Sequence, residues 1–139
     1  MRKPRLKALP QMPQAFYHCI SRVVDRRFAF GPVEKERFVE LLHEYARFCG
    51  VTVVTYCILD NHFHLLVEVP PKPEEPLSDA EVVRRLRGLT GLTEAGTIQQ
   101  QLQRFRAQGS DDAAEALRAR VLARMWDVSA FMKLLKQRF

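Results

Sequence analysis

Apolar and polar residues alternate over most of residues 62–69, which is the pattern of a β-strand with one buried face. Successive side chains on a strand point to opposite faces, so His62 and His64 share one face, about 7 Å apart along the chain. The apolar residues of the other face are Phe63, Leu65 and Val67. The pattern predicts a strand that packs a core on one side and presents two imidazoles on the other.

Three further patterns place this strand in a sheet. Residues 15–24 are apolar and aromatic and predict a first strand, whereas residues 51–59 are β-branched and apolar and predict a second. The second strand would turn at Asp60 and Asn61 into the histidine strand. Between the first two strands, Pro32 suits the start of a helix with apolar residues at helical spacing. The order strand, helix, strand, strand opens a ferredoxin-like unit, so the predicted class is α+β with an antiparallel sheet and a central histidine strand.

After the prolines of residues 70–76 the pattern changes from strands to helices. Ser78 begins a capping box that opens a helix, and Gly88 is expected to stop it. A second helix is expected to open at Thr97, and a third is expected to follow Ser110 as its cap. This region is therefore predicted to be a helical insertion.

A chain of 139 residues is about as long as one domain, and we expect a single one. Its predicted segments are an extended basic arm (1–13), a sheet core (14–70), a helical insertion (71–126) and a last amphipathic helix (127–139). The apolar pattern of that last helix extends to Phe139, without a residue that would end the helix. We therefore expect the sequence to be part of something longer.

The net charge of +6 is unevenly distributed. Residues 1–30 carry +6, residues 31–70 carry −3, and residues 71–139 carry +3. A basic amino-terminal segment favours a polyanionic partner, most simply nucleic acid. The alternative is a solubilising tail without a partner, which composition alone leaves open.

Cysteine use and hydropathy indicate the compartment. Cys19, Cys49 and Cys57 lack C-x-x-C spacing, which favours reduced thiols in a cytoplasmic protein over disulfides or a zinc knuckle. No run approaches the roughly 18 apolar residues of a membrane span, and no apolar signal region follows the basic start. We expect no membrane partner, and association with the nucleoid when DNA is bound.

The two histidines of the predicted central strand are the strongest candidates for chemistry. Imidazoles held side by side on a rigid element form half of a divalent-metal site, and His62 and His64 are the predicted metal ligands. Glu68, four residues further along the same face, is either a weak additional group or a solvated carboxylate. The alternative for the pair is a half-exposed strand face with no ligand.

Taken in order, these segments resemble the REP-associated tyrosine transposases, within the HUH class of single-strand DNA nucleases and transposases. The matching segments are residues 17–22 for the first strand, 38–42 for the first helix, 56–66 for the signature hairpin and 131–139 for the start of the nucleophile helix. Asp60 stands where the family usually has proline. Residues 74–125 look like an enlarged insertion to which the resemblance assigns no role.

The resemblance implies transposition by cleavage and joining of hairpin-forming single-stranded DNA. In the family a tyrosine attacks a phosphodiester, while a Mg²⁺ or Mn²⁺ ion held by the two histidines orients the phosphate. The nucleophilic tyrosine is expected at or after Phe139, which has no hydroxyl, and the tyrosines present are Tyr17, Tyr45 and Tyr56. The catalytic residue is therefore unknown, and residues 1–139 are expected to bind metal and DNA without cleaving.

Two other functions fit the same residues. The first is a catalytically dead DNA-binding module or repressor derived from a transposase, which the basic arm and the predicted sheet also suit. The second is a small RNA binder, although an aromatic pair on adjacent central strands, as RNA-binding sheets use, is lacking. The sequence leaves open whether the protein is an enzyme and whether it forms a homodimer.

The remaining candidate residues would contact nucleic acid. Arg22, Arg26 and Arg27 follow the first strand and could grip phosphates, the alternative being a solvated loop. His18 could face the same cleft as the histidine pair, the alternative being a packed, hydrogen-bonded histidine. Phe16 and its neighbour Tyr17 could stack on bases, but core packing is the expectation for both.

Overall fold

The computed structural model describes residues 6–7, 9, 14–22, 30–90 and 92–138. Its elements are β1 (Ala15–Arg22), α1 (Pro32–Cys49), β2 (Thr52–Ile58), β3 (His62–Val69), α2 (Asp79–Thr90), α3 (Leu92–Ala107), α4 (Asp111–Leu122) and α5 (Val128–Arg138). Strands come first and the additional helices later, which confirms the predicted α+β class.

The three strands form an antiparallel sheet in the order β1-β3-β2, so the histidine strand is central as predicted. In the register of the sheet His64 lies opposite Ile20 on one side and opposite Cys57 on the other. A bulge between Val53 and Thr55 shifts the pairing of β2 with β3. A central strand has hydrogen-bonded neighbours on both sides, and it therefore holds its side chains more rigidly than an edge strand does.

Helix α1 covers one face of the sheet. Phe63, Leu65 and Val67 are buried on that face, and the ring of Phe63 lies 4.7 Å from the ring of Phe38 on α1. The core therefore lies between β3 and α1, as the alternation along residues 62–69 predicts. The side chains that alternate with these three, including both histidines, must then point away from α1.

The carboxyl end of α1 is fixed by a glycine and a tryptophan. Gly50 has a left-handed backbone (φ 67°), and a Cβ atom there would lie 2.6 Å from Nε1 of Trp126. The backbone amide of Trp126 donates a hydrogen bond of 2.7 Å to the carbonyl of Cys49. The turn before α5 is thus held against the end of α1, and any side chain at position 50 would collide with it.

Two predicted helix boundaries are wrong. Gly88 does not stop the first helix of the insertion, which continues to Thr90, and the next helix begins at Leu92 instead of Thr97. Glycine inside a helix costs only about 1 kcal/mol relative to alanine. The buried residues of α2, which include Val82 and Leu86, supply more than that through packing.

Charged side chains join the helices of the insertion. Arg118 on α4 is only 5% exposed and donates a hydrogen bond of 2.7 Å to Asp79 at the start of α2. Arg106 on α3 donates to the same carboxylate at 3.1 Å, and this hydrogen bond, with that from Arg118, holds the pKa of Asp79 below its usual value. One carboxylate therefore links three helices.

None of the helices in the described part of the chain is long and apolar enough to cross a membrane.

The last helix joins the helical layer. Asp127 caps it, because its Oδ1 accepts a hydrogen bond of 3.0 Å from the amide of Ala130. Phe131 and Leu135 are fully buried, and α5 packs against α1. Because α1 covers the face of the sheet opposite the histidines, α5 lies on that helical side as well.

Candidate metal and nucleic-acid site

One face of the sheet, which we call the histidine face, is left uncovered by α1. Residues that pair across antiparallel strands point to the same face, so the register around His62 and His64 defines its members. They are Phe16, His18, Ile20 and Arg22 on β1, Thr52, Thr55 and Cys57 on β2, and His62, His64, Leu66 and Glu68 on β3. The side chains on β1 are exposed, and those on β3 are half-buried.

Three of the chain's four histidines meet on this face. The rings of His62 and His64 have their centres 5.2 Å apart. The ring of His18, from the neighbouring strand, lies nearly parallel to that of His64, with a centre-to-centre distance of 5.3 Å and an interplanar angle of 22°. His18 Nε2 lies 3.0 Å from His64 Nδ1, which is a hydrogen-bond distance.

The turn before β3 positions the first of the paired histidines. Asn61 Oδ1 lies 2.7 Å from His62 Nδ1. A backbone hydrogen bond fixes the turn, since the carbonyl of Asp60 accepts a hydrogen bond of 2.6 Å from the amide of Phe30. Lys35 on α1 donates a hydrogen bond of 2.8 Å to the Asp60 side chain and lowers the pKa of that carboxyl. The turn is therefore anchored to the helical layer on one side and to the histidine pair on the other.

The spacing of the paired rings suits a shared cation. Two imidazoles, each with a nitrogen about 2 Å from one ion, have ring centres roughly 5 Å apart. The observed 5.2 Å agrees with this value. Within the described residues, however, no group of three or more His, Cys, Asp or Glu side chains is arranged to hold a metal ion. The pair can supply part of a coordination shell, and the remaining positions would fall to water or phosphate oxygens.

The structure places some of the other predicted site residues on the histidine face and does not describe the rest. Arg22 lies on the histidine face, where it pairs with His62 across the strands and is exposed. Arg26 and Arg27 lie outside the described residues, so their predicted contacts with phosphates remain predictions. Glu68 lies at the far end of the same face, opposite Phe16. His18 contacts His64 and is therefore part of the histidine cluster instead of an isolated packed residue.

Of the basic arm, the structure describes Leu6, Lys7 and Leu9. Lys7 forms an ion pair of 2.8 Å with Asp127, the capping residue of α5. At least this base of the arm is directed to the helical side of the molecule and not to the histidine face.

The expectation that Phe16 packs in the core is wrong. Its side chain is 56% exposed, and the side chain of Ile20, four residues further along β1, is 50% exposed. Both residues flank His18 on the histidine face, and together they form an apolar surface beside the histidine cluster. The strand period would have revealed this, because any face that carries His18 must also carry Phe16 and Ile20.

None of the three tyrosines, all of which are described, lies on the histidine face. Tyr17 pairs with the buried Val67 and therefore points to the α1 side of the sheet. Tyr45 is buried within α1, and Tyr56 packs edge-on against the ring of His43 on the same helix. No phenolic hydroxyl of this chain is therefore positioned beside the paired imidazoles.

Comparison with known families gives one match. Residues 11–108, more than half of the chain, match the model of a family described as "Transposase IS200 like". The matched region contains the whole sheet, α1, α2 and α3, but it stops before α4 and α5. The assignment of residues 127–139 to a nucleophile helix therefore remains a prediction. No curated protein and no solved structure matches the chain.

Proposed function

Because the chain belongs to the family of IS200-like transposases, we propose that its histidine face binds single-stranded DNA beside a divalent cation held by His62 and His64. Membership of this family implies transposition as the general function and DNA as the partner. The proposal adds the form of the DNA, the surface that binds it and the metal. Its substrate class is hairpin-forming DNA with an unpaired flank.

The observation that carries this proposal is the placement of the two imidazoles. They project from the central strand of the sheet to the face opposite α1, and their ring centres lie at a separation compatible with two ligands of one ion. Imidazole nitrogen suits Mn²⁺ better than Mg²⁺, so Mn²⁺ is the better probe of the site. When bound, such an ion would neutralise part of the charge on a phosphate and orient it for in-line attack.

The residues beside the histidines suit an unpaired strand. Arg22 lies opposite His62 and can pair with a phosphate next to the one at the histidines. Phe16, which is exposed and lies two residues before His18 on β1, offers a ring on which a base can stack. Bases inside a duplex are already stacked on each other, so this combination favours single-stranded over double-stranded DNA.

Replacing Phe16 with alanine is expected to weaken binding of single-stranded DNA about tenfold, because stacking of one base on an aromatic ring contributes roughly 1–3 kcal/mol. The measurement is fluorescence anisotropy with a labelled DNA hairpin that carries an unpaired flank, and with a blunt duplex of equal length. Val33→Ala is the matched control, since Val33 is an exposed apolar residue on α1. Equal affinity of the two variants, together with equal affinity for hairpin and duplex, would contradict the proposal.

A second candidate function is compatible with the positions of the three tyrosines within residues 1–139. A DNA-binding module derived from a transposase would keep the histidine face without a nucleophile, and Tyr17, Tyr45 and Tyr56 all lie elsewhere. We therefore expect residues 1–139 to bind hairpin DNA with Mn²⁺ but to form no covalent adduct. Denaturing electrophoresis of the protein after incubation with labelled DNA measures this. A labelled protein band that persists on denaturation would show that a residue of this chain reacts covalently with DNA, and the interpretation as a binding module would then be wrong.

A further inference from the structure

We infer that Asn61 and His18 are positioning residues that fix the tautomers of His62 and His64, so that both rings present Nε2 to one cation. This inference rests on the proposed function, because it concerns the same pair of imidazoles. A neutral imidazole carries one proton, and the nitrogen that binds a metal must be the one without it. The partner of the other nitrogen therefore decides which atom can coordinate.

Asn61 determines the tautomer of His62. Its Oδ1, 2.7 Å from His62 Nδ1, is a carbonyl oxygen and can only accept a hydrogen bond. The proton of His62 must then be on Nδ1, which leaves the lone pair of Nε2 free. Asn61 occupies the turn that Lys35 and the amide of Phe30 hold through Asp60, so its acceptor oxygen is held in place before any ion arrives.

His18 determines the tautomer of His64 in the same way. The 3.0 Å contact joins His18 Nε2 to His64 Nδ1, and one of these two nitrogens carries the proton between them. His64 can present Nε2 to a cation when its Nδ1 is the donor and His18 Nε2 is the acceptor. The pairing of β1 with β3 and the central position of β3 hold this contact. In this arrangement the lone pair of His18 Nε2 is used by His64, so His18 orients a ligand and does not coordinate the ion.

The test for Asn61 is the Mn²⁺ dissociation constant, measured from the electron paramagnetic resonance signal of free Mn²⁺. Asn61→Leu, which removes the acceptor, is expected to weaken Mn²⁺ binding about tenfold or more. Asn61→Asp keeps an acceptor oxygen in the same place and is expected to bind Mn²⁺ at least as tightly as the unchanged protein. His43→Gln is the matched control, because His43 is the one histidine outside the cluster. Equal affinity of Asn61→Leu and the unchanged protein would overturn the inference.

His18 is tested by two variants that separate an orienting role from a coordinating one. His18→Ala removes the acceptor, whereas His18→Gln retains a carbonyl oxygen but not an imidazole. An orienting role predicts about tenfold weaker Mn²⁺ binding for His18→Ala and recovery of most of that loss in His18→Gln. An equal loss in both variants would mean that His18 is itself a ligand, and it would overturn this part of the inference.

A metal-free measurement keeps this inference separable from the proposed function. Long-range ¹⁵N–¹H correlation spectra report which imidazole nitrogen carries the proton, and they are recorded well above the ordinary imidazole pKa of about 6.5. We expect the Nδ1–H form at both His62 and His64, and loss of that single form at His62 in Asn61→Leu. The Nε2–H form at His62 in the unchanged protein would overturn the inference. If both tautomers are as expected but Mn²⁺ binding does not depend on the pair, the proposed function fails instead.

Discussion

Replacement of both His62 and His64 with alanine is expected to weaken Mn²⁺ binding on the order of 100-fold or more, since loss of a group that merely orients a metal ligand already costs 10- to 100-fold. Affinity for hairpin DNA should then be the same with Mn²⁺ and with a chelator, because the contacts that we propose for Arg22 and Phe16 do not involve the ion. The measurements are Mn²⁺ titration and fluorescence anisotropy. Circular dichroism checks that the sheet persists.

The outcome of this double replacement separates DNA binding through a cation held by the histidines from DNA binding that does not involve them. A binding module that does not use the histidines would show unchanged DNA affinity and no difference between Mn²⁺ and chelator in either protein. His43→Ala is the control for removal of an imidazole elsewhere, since His43 packs against Tyr56 on the helical side. Loss of metal-dependent binding in this control would mean that the cation is held away from the histidine face, contrary to our proposal.

Phe38→Ala is expected to lower the free energy of unfolding by about 3–5 kcal/mol, the usual cost of removing a buried aromatic ring. Phe38 is fully buried between α1 and the sheet and contacts the rings of Phe30 and Phe63. Small domains are stable by only about 5–15 kcal/mol, so a large part of the stability would be lost. Urea unfolding followed by circular dichroism measures the change.

The matched control for this stability prediction is Val33→Ala on the same helix. Val33 is 74% exposed, and its truncation is expected to change the free energy of unfolding by about 0.5 kcal/mol or less. A loss below about 1 kcal/mol for Phe38→Ala would show that α1 does not support the back of the histidine strand. The rigidity that we assign to the imidazole pair would then lack its structural basis.

The sheet and its histidines were predictable because the strand period is two residues. Phe63, Leu65 and Val67 are apolar, so they determine which face of β3 is buried and place His62 and His64 on the opposite one. The same reasoning applied to β1 would have put Phe16 on that face. A preference for burying aromatic residues, which holds only on average, led to the wrong expectation for Phe16.

Contacts between elements were not predictable from local pattern. The hydrogen bond between His18 and His64 depends on the register of β1 against β3, which no single segment contains. Asn61 was recognised as a turn residue, but its contact with His62 depends on the geometry of that turn. The continuation of α2 through Gly88 depends on packing against other helices, which outweighs the local cost of glycine.

Binding of a cation by His62 and His64 beside a DNA phosphate can be tested by a crystal structure of the protein with hairpin DNA and Mn²⁺, with anomalous scattering used to locate the ion. We expect one strong peak about 2 Å from Nε2 of both His62 and His64, with a phosphate oxygen of the unpaired strand as a further ligand. An ion held elsewhere, or DNA bound with the histidine face empty, would contradict this expectation.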